Sequence, residues 1–305
     1  MPECGPSKLE KNWQNGSFYP YKNKVFYIVN QKKIELMNKS KLTRTSSLTL
    51  VGALGLLTLS SVAASSHSNG MLDETDMVGV SFWLATAMML ASTVFFILER
   101  NNVAAKWKTS MTVAALVTGI AWYHYTYMRE HWVETGTSPL VMRYIDWLIT
   151  VPLQVSEFYL ILAAIGAASA VLFWKLFGAS IVMLVAGFLS ESSIDAVDGM
   201  ETPLFAIGVL AWLYIIYELW AGEAKEKVSD ASEGTQFAFK AMAGILTVGW
   251  AIYPLGWLMG QDATQGAIDN LNILYNIADV VNKTAFGMMV WYAATMDTKA
   301  SSSEE

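Results

Sequence analysis

Seven stretches of this chain are each about as long as a membrane is thick and almost free of charge. A hydrocarbon core of about 30 Å is crossed by roughly 20 apolar residues rising 1.5 Å each. Met77 to Leu98, Thr109 to Met128 and Ala241 to Gln261 contain no charged residue, and neither does Leu204 to Tyr217, whose apolar run extends through Trp220. Leu140 to Ile165, Ala168 to Ser190 and Ala267 to Met296 enclose only a few ionisable residues. Strands of a membrane barrel would be half as long and alternating. The fold class implied is an all-α membrane protein, a bundle of seven transmembrane helices. Composition agrees: 15% of residues are charged, where a soluble domain needs about a quarter.

A single cysteine, Cys4, rules out an internal disulfide, and three histidines with none at ligand spacing give no metal site. The formal charge of −6 is spread along the chain and offers nothing to a nucleic acid.

The segment before the first span has its own layout. Lys39, Lys41 and Arg44 precede the apolar run Leu48 to Leu59, and small residues come after it at Ser61, Ala63 and Ala64. That is the order of a secretory signal peptide, assigned here to residues 37–64, and the run is short for a span. An uncleaved anchor is the alternative. Residues 1–36 are polar and aromatic without periodicity, and read as an upstream mis-annotated or disordered extension. The domain proper is then 65–298, with a polar tail at 299–305.

Loop charges orient the bundle. Arg100, Lys106, Lys108, Lys225, Lys227, Lys240 and Lys299 flank the odd connections and the tail. The even connections hold Arg129 against Glu130, Glu134, Glu191, Asp195, Asp198, Glu201, Asp262 and Asp269. Lys and Arg mark the cytoplasmic side. The N-terminus of the bundle is therefore expected outside, the C-terminus inside, and the odd-numbered helices run inward.

Ionisable residues within a span are costly, and by default they mark function. The third span reads Arg143-Tyr-Ile-Asp146-Trp-Leu-Ile-Thr150-Val-Pro-Leu-Gln154-Val-Ser-Glu157. At 100° per residue, Glu157 returns to within about 20° of Asp146, roughly 16 Å further along the axis. Arg143, Thr150 and Gln154 fall on the same side, so the polar residues form one stripe. In the seventh span Asp279 and Lys283 are four apart and share a face. Lys283 is too deep to snorkel to either surface. It either joins a structural ion pair or forms a Schiff base with an aldehyde, and both need Asp146 and Asp279 as counter-charges. Arg143 and Lys283 against Asp146 and Asp279 make a neutral quartet. Glu157 is left over, and an unpaired carboxyl there is expected to keep its proton. Trp250, Tyr253 and Trp257 recur at spacings of three and four on one face of the sixth span, where Pro254 is expected to open space. Tyr144 and Trp147 add aromatic surface from the third.

Together these motifs resemble the microbial (type 1) rhodopsins, and within them the proteorhodopsin branch. The stretch Arg143 to Pro152 with Glu157 is similar to that family's third helix, and Asp279-Val-Val-Asn-Lys283 to its retinal-lysine helix. Trp250-Ala-Ile-Tyr253-Pro254 and His124-Tyr-Thr-Tyr-Met-Arg129 match as well, and the likeness covers roughly residues 70–298. It implies that Lys283 binds all-trans retinal as a protonated Schiff base. Asp146 would be primary counter-ion and proton acceptor, Asp279 the second counter-ion, and Glu157 the proton donor. His124 would bond to Asp146, and Arg143 would govern the outer side of the complex. Trp147, Tyr144, Trp250, Tyr253 and Trp257 would line the chromophore. The trio Asp146, Thr150, Glu157 is the family's proton-pump version. Gln154 sits where blue-absorbing members carry glutamine.

The function implied is a light-driven outward proton pump, a transporter and not an enzyme, in the plasma membrane of a bacterium. Its partners would be the lipid bilayer and copies of itself, and nothing resembles a transducer. A light sensor without net transport is the alternative on the same scaffold. A seven-helix receptor or channel using the charges structurally is the rival from another class.

Overall fold

The computed structural model describes residues 72, 75–192, 194–259 and 264–303. The expected extension at 1–36 and the signal segment at 37–64 lie outside the described residues. Seven long helices run through the rest, and no strand occurs among the described residues. Helix α1 is Met77–Glu99, α2 Lys108–Thr135, α3 Leu140–Ala164, α4 Ala170–Glu191 and α5 Glu201–Trp220. Helix α6 comes in three pieces: Glu233–Gly244, a π turn at Ile245–Gly249, and Ile252–Met259. Helix α7 is Gln265–Val280, a π turn at Val281–Ala285, and Phe286–Ser303. It carries the first residues of the polar tail in helical form.

Five of these helical stretches are long and apolar enough to cross a membrane by length and composition. Helices α2 and α7 fall short for a legible reason. Helix α2 carries His124, Arg129 and Glu130, and α7 carries Asn272, Asn276, Asp279, Asn282 and Lys283. In α7 all five of these are buried, so their polarity is directed inward.

The bundle is apolar on the outside and polar within. Val248 is 74% exposed and Trp174 and Leu210 are each 66% exposed, while Arg143, Asp146 and Asp279 are fully buried. Only 22% of the most apolar window of the fifth span is buried. A water-soluble protein would have the reverse arrangement. Along α3 the outward residues Val141, Ile145 and Ile149 alternate with the buried stripe Arg143, Asp146, Thr150, Gln154 and Glu157, as the 3.6-residue period requires.

Helix α1 packs along α2, α2 on α3, α3 on α4, α4 on α5, α6 on α7, and α7 back on α1. The ring closes between α5 and α6 at only a few points. Phe205 stacks on Trp257 with ring centroids 4.1 Å apart, and Trp220 Nε1 donates to Thr247 Oγ1 at 2.9 Å. Polar side chains tie other helices directly: Ser92 to Thr284 at 2.9 Å, Thr93 to Thr118 at 2.9 Å, and Asn276 to Ser81 at 2.8 Å.

The basic loops gather at one end. There Lys106 pairs with Asp297 at 2.7 Å, Trp107 Nε1 donates to the same carboxylate at 2.7 Å, and Trp291 Nε1 donates to Glu99 at 2.8 Å. At the acidic end Asp76 caps α1 by accepting from Gly79 N and also accepts from Trp132 Nε1. Gly136, with φ of 62°, closes α2 there.

Pro254 was expected to open space in α6, and the helix is irregular on its N-terminal side. The irregularity begins a turn earlier, in the π turn. Pro254 has no N–H to give the carbonyl of Trp250, and Tyr253 N takes that carbonyl instead at 3.2 Å.

Candidate functional site

Lys283 sits in the π turn of α7 with 2% of its side chain exposed. Its Nζ lies 2.8 Å from Asp279 Oδ2, one turn back on the same helix, and 3.1 Å from Asp146 Oδ2 across on α3. One buried ammonium thus faces two buried carboxylates. Uncompensated burial of any of the three would cost several kcal/mol.

The two carboxylates are held differently. Asp279 accepts from Tyr253 Oη at 2.6 Å, from Tyr125 Oη at 2.9 Å and from Trp147 Nε1 at 3.2 Å. Asp146 has fewer partners. His124 Nδ1 stands 3.2 Å from its Oδ1, and beyond Lys283 its Oδ2 has no hydrogen-bond partner among the described residues. Asp279 is anchored, while Asp146 keeps acceptor capacity free beside the amine.

Arg143 supplies the second positive charge of the neutral quartet from a short distance away. It pairs with neither carboxylate. Its Nη2 donates to Asn276 Oδ1 at 2.8 Å and Asn272 Oδ1 at 3.0 Å, its Nη1 reaches Tyr125 Oη at 3.5 Å, and its Nε has no partner among the described residues. Tyr125 therefore stands between Arg143 and Asp279. Thr150 also turns inward on its own helix, its hydroxyl donating to the Asp146 carbonyl at 3.0 Å.

Glu157 lies toward the basic end of α3, 1% exposed, and neither carboxyl oxygen has a hydrogen-bond partner among the described residues. The Ser110 hydroxyl of α2 is the polar group beside it. Phe158 packs next to it against Phe239 and Phe286, with ring centroids 5.0 and 5.7 Å apart.

A cavity extends from Lys283 between α3, α4, α5 and α6. The five aromatic residues expected to line the chromophore, Tyr144, Trp147, Trp250, Tyr253 and Trp257, border this cavity, and so does Gln154. Phe205 and Trp212 of α5 line it too and were not expected. Gln154 also spends its amide on a neighbouring helix, Nε2 donating to the Asn282 carbonyl at 2.7 Å. Tyr125, Asn272 and Asn276 are the other residues sequence reasoning missed. Asn272, Asn276, Asp279 and Lys283 are spaced four, three and four apart, a single helical face that could have revealed the amides.

The residues fit a retinal-like ligand. A buried amine is the group that bonds an aldehyde, and aromatic walls suit a conjugated apolar chain.

The sequence model of the family described as bacteriorhodopsin-like protein matches residues 76–296. The chain is 52% identical over 254 residues to the blue-light absorbing proteorhodopsin of Gamma-proteobacterium Hot 75m4, covering 81% of this chain and 99% of that one. It is 53% identical over 247 residues to the green-light absorbing proteorhodopsin of Gamma-proteobacterium EBAC31A08, covering 80% and 98%. Among solved structures it resembles blue light-absorbing proteorhodopsin from Med12, with a TM-score of 0.61, 52% identity, and coverage of 73% and 100%. Xanthorhodopsin, described as a light-driven ion pump with dual chromophore, gives a TM-score of 0.67 at 29% identity, covering 74% and 95%.

Proposed function

Because the chain belongs to the bacteriorhodopsin-like protein family, we propose that it is a light-driven pump that carries protons outward across a bacterial plasma membrane. The observation that carries this reading is the polar stripe of α3. It sets an acceptor carboxylate, Asp146, beside Lys283 and a second, lone carboxyl, Glu157, toward the basic end. Lys283 Nζ would hold retinal covalently, in its all-trans form, and when bound that group would supply capture of a visible photon and the light-driven reorientation of the nitrogen.

The protein's own groups do the rest. Lys283 Nζ holds the proton at rest between Asp146 and Asp279. Asp146 Oδ2 receives it, since Asp279 is already committed to three donors. His124 steadies the Asp146 carboxyl from the other oxygen. Glu157 returns a proton to Nζ from the basic end, which the positive-inside rule assigns to the cytoplasm. The aromatic walls exclude water, so the two transfers stay separate. Arg143, parked on Asn272 and Asn276, keeps a positive charge on the outer side of the carboxylates without neutralising the acceptor.

Retinal-fed cells in weakly buffered medium should acidify that medium under illumination, and a protonophore should abolish the change. Pigmented membranes that move no net charge would instead make the protein a light sensor. In the same membranes Gln154, a polar amide in the chromophore cavity, predicts absorption in the blue; a maximum in the green would remove that role from it.

Glu157→Gln should leave the colour nearly unchanged and slow recovery after a flash by roughly a hundredfold, the scale of losing a positioned acid. Flash photolysis with added azide, a diffusible proton carrier, should restore the rate. Unchanged recovery would take the donor role from Glu157.

A further inference from the structure

The turn that carries Lys283 is a π turn, Val281–Ala285, and it packs on the π turn Ile245–Gly249 of α6. Two such turns face to face in adjacent helices are unusual, and π turns gather at functional sites. Asn282, 1% exposed, joins them. Its backbone carbonyl accepts from Gln154, and its side-chain Nδ2 donates to Tyr253 Oη at 3.2 Å. The orientation of the amide is fixed by that bond. Tyr253 gives its one proton to Asp279, so it can only accept from Asn282. Asn282 Oδ1 therefore points the other way, onto Gly249, with no hydrogen-bond partner among the described residues. A Cβ at position 249 would overlap Oδ1, so only glycine lets the side chain lie there. An unpaired buried acceptor pressed against a bare backbone calls for a reason.

We propose that Asn282 is a positioning residue that couples Lys283 to the hinge of α6, its side chain wedged on Gly249 so that a shift of the Lys283 turn is delivered to α6. This rests on the pump reading, in which Lys283 Nζ must turn from Asp146 toward Glu157. On two sides Asn282 is bonded to the site, through Gln154 and Tyr253, and it moves with them. On the third it presses without bonding, so α6 can yield and return. The half of α6 that would yield, Glu233–Gly244, carries Phe239, which packs on Phe158 beside Glu157. Displacing that half unpacks the apolar cover of the donor at the moment it must give up its proton.

The test uses the retinal-bound protein in lipid with Gly249→Ala, Asn282→Ala and both together. Each single change should slow flash recovery by roughly tenfold, the rate equivalent of one lost contact. The double variant should be no slower than Asn282→Ala, because without the amide a methyl at 249 has nothing to meet. Dark hydrogen–deuterium exchange over residues 245–249 should rise in both single variants and no further in the double. Single effects below about twofold, or effects that multiply in the double, would overturn the coupling. Should Gly249→Ala form no pigment, recovery of pigment in the double supports the wedge and its continued absence overturns it. A parent chain without pigment would instead sink the pump reading, and the exchange pattern would still decide the contact.

Discussion

With Lys283 replaced by alanine, retinal-fed membranes are expected to contain the protein and show no visible absorption band. Among the described residues Lys283 is the only buried lysine, and it alone of their amines lines the cavity. A chromophore bound by shape alone would lose the covalent bond and, with it, the positive charge that shifts absorption into the visible. The substitution also strands Asp146 and Asp279 without their shared cation. Removing one partner of a buried ion pair costs about 3–5 kcal/mol, so the loss of colour must be separated from the loss of fold. Lys283→Ala combined with Asp279→Asn lowers the stranded charge by one and serves that purpose. If either variant retains the parent band, the attachment site lies elsewhere.

Asp146→Asn should abolish light-driven acidification while leaving a pigment that absorbs at longer wavelength. The amide preserves the shape of the side chain and cannot accept a proton from Lys283 Nζ 3.1 Å away. Asp279 remains as counter-ion, held by Tyr253, Tyr125 and Trp147, so the site stays formed. A negative charge beside the amine favours the ground state, in which the positive charge sits near Nζ, over an excited state in which it has moved along the polyene. Removing that charge narrows the gap. Absorption spectra and external pH, recorded on one preparation, read both effects. Persistent transport would make Asp279 the acceptor and reverse the roles of the two carboxylates.

The functional stripe of α3 was legible because five polar residues in an apolar helix can share a face only at the helical period. The cavity wall of Trp250, Tyr253 and Trp257 was legible in the same way. The partners of Arg143 were not legible from its charge. Counting charges pairs cations with anions, whereas the structure satisfies its guanidinium with the neutral amides Asn272 and Asn276, which such a count does not see. Tyr125 was hidden in a tyrosine-rich run beside His124. The π turns could not be read at all, since each inserts one residue into a helix and leaves no mark in the composition. That insertion rotates the remainder of the helix by about 100°.

The hydrogen bonds that cross between helices bear on how this protein tolerates change. Lipid tails are as apolar as leucine, so once the helices are inserted no hydrophobic drive gathers them, and close packing and polar contacts must hold them side by side. Here many of those contacts are made by Tyr125, Trp147, Tyr253, Asn276 and Asp279, which also surround Lys283 and Arg143. Drift at these positions would weaken assembly and transport together, whereas the outward-facing Val248, Trp174 and Leu210 are free to vary among apolar types. A library aimed at new colours therefore has most room in the wall from α5, where Phe205 and Trp212 touch the cavity and hold none of the charged groups in place.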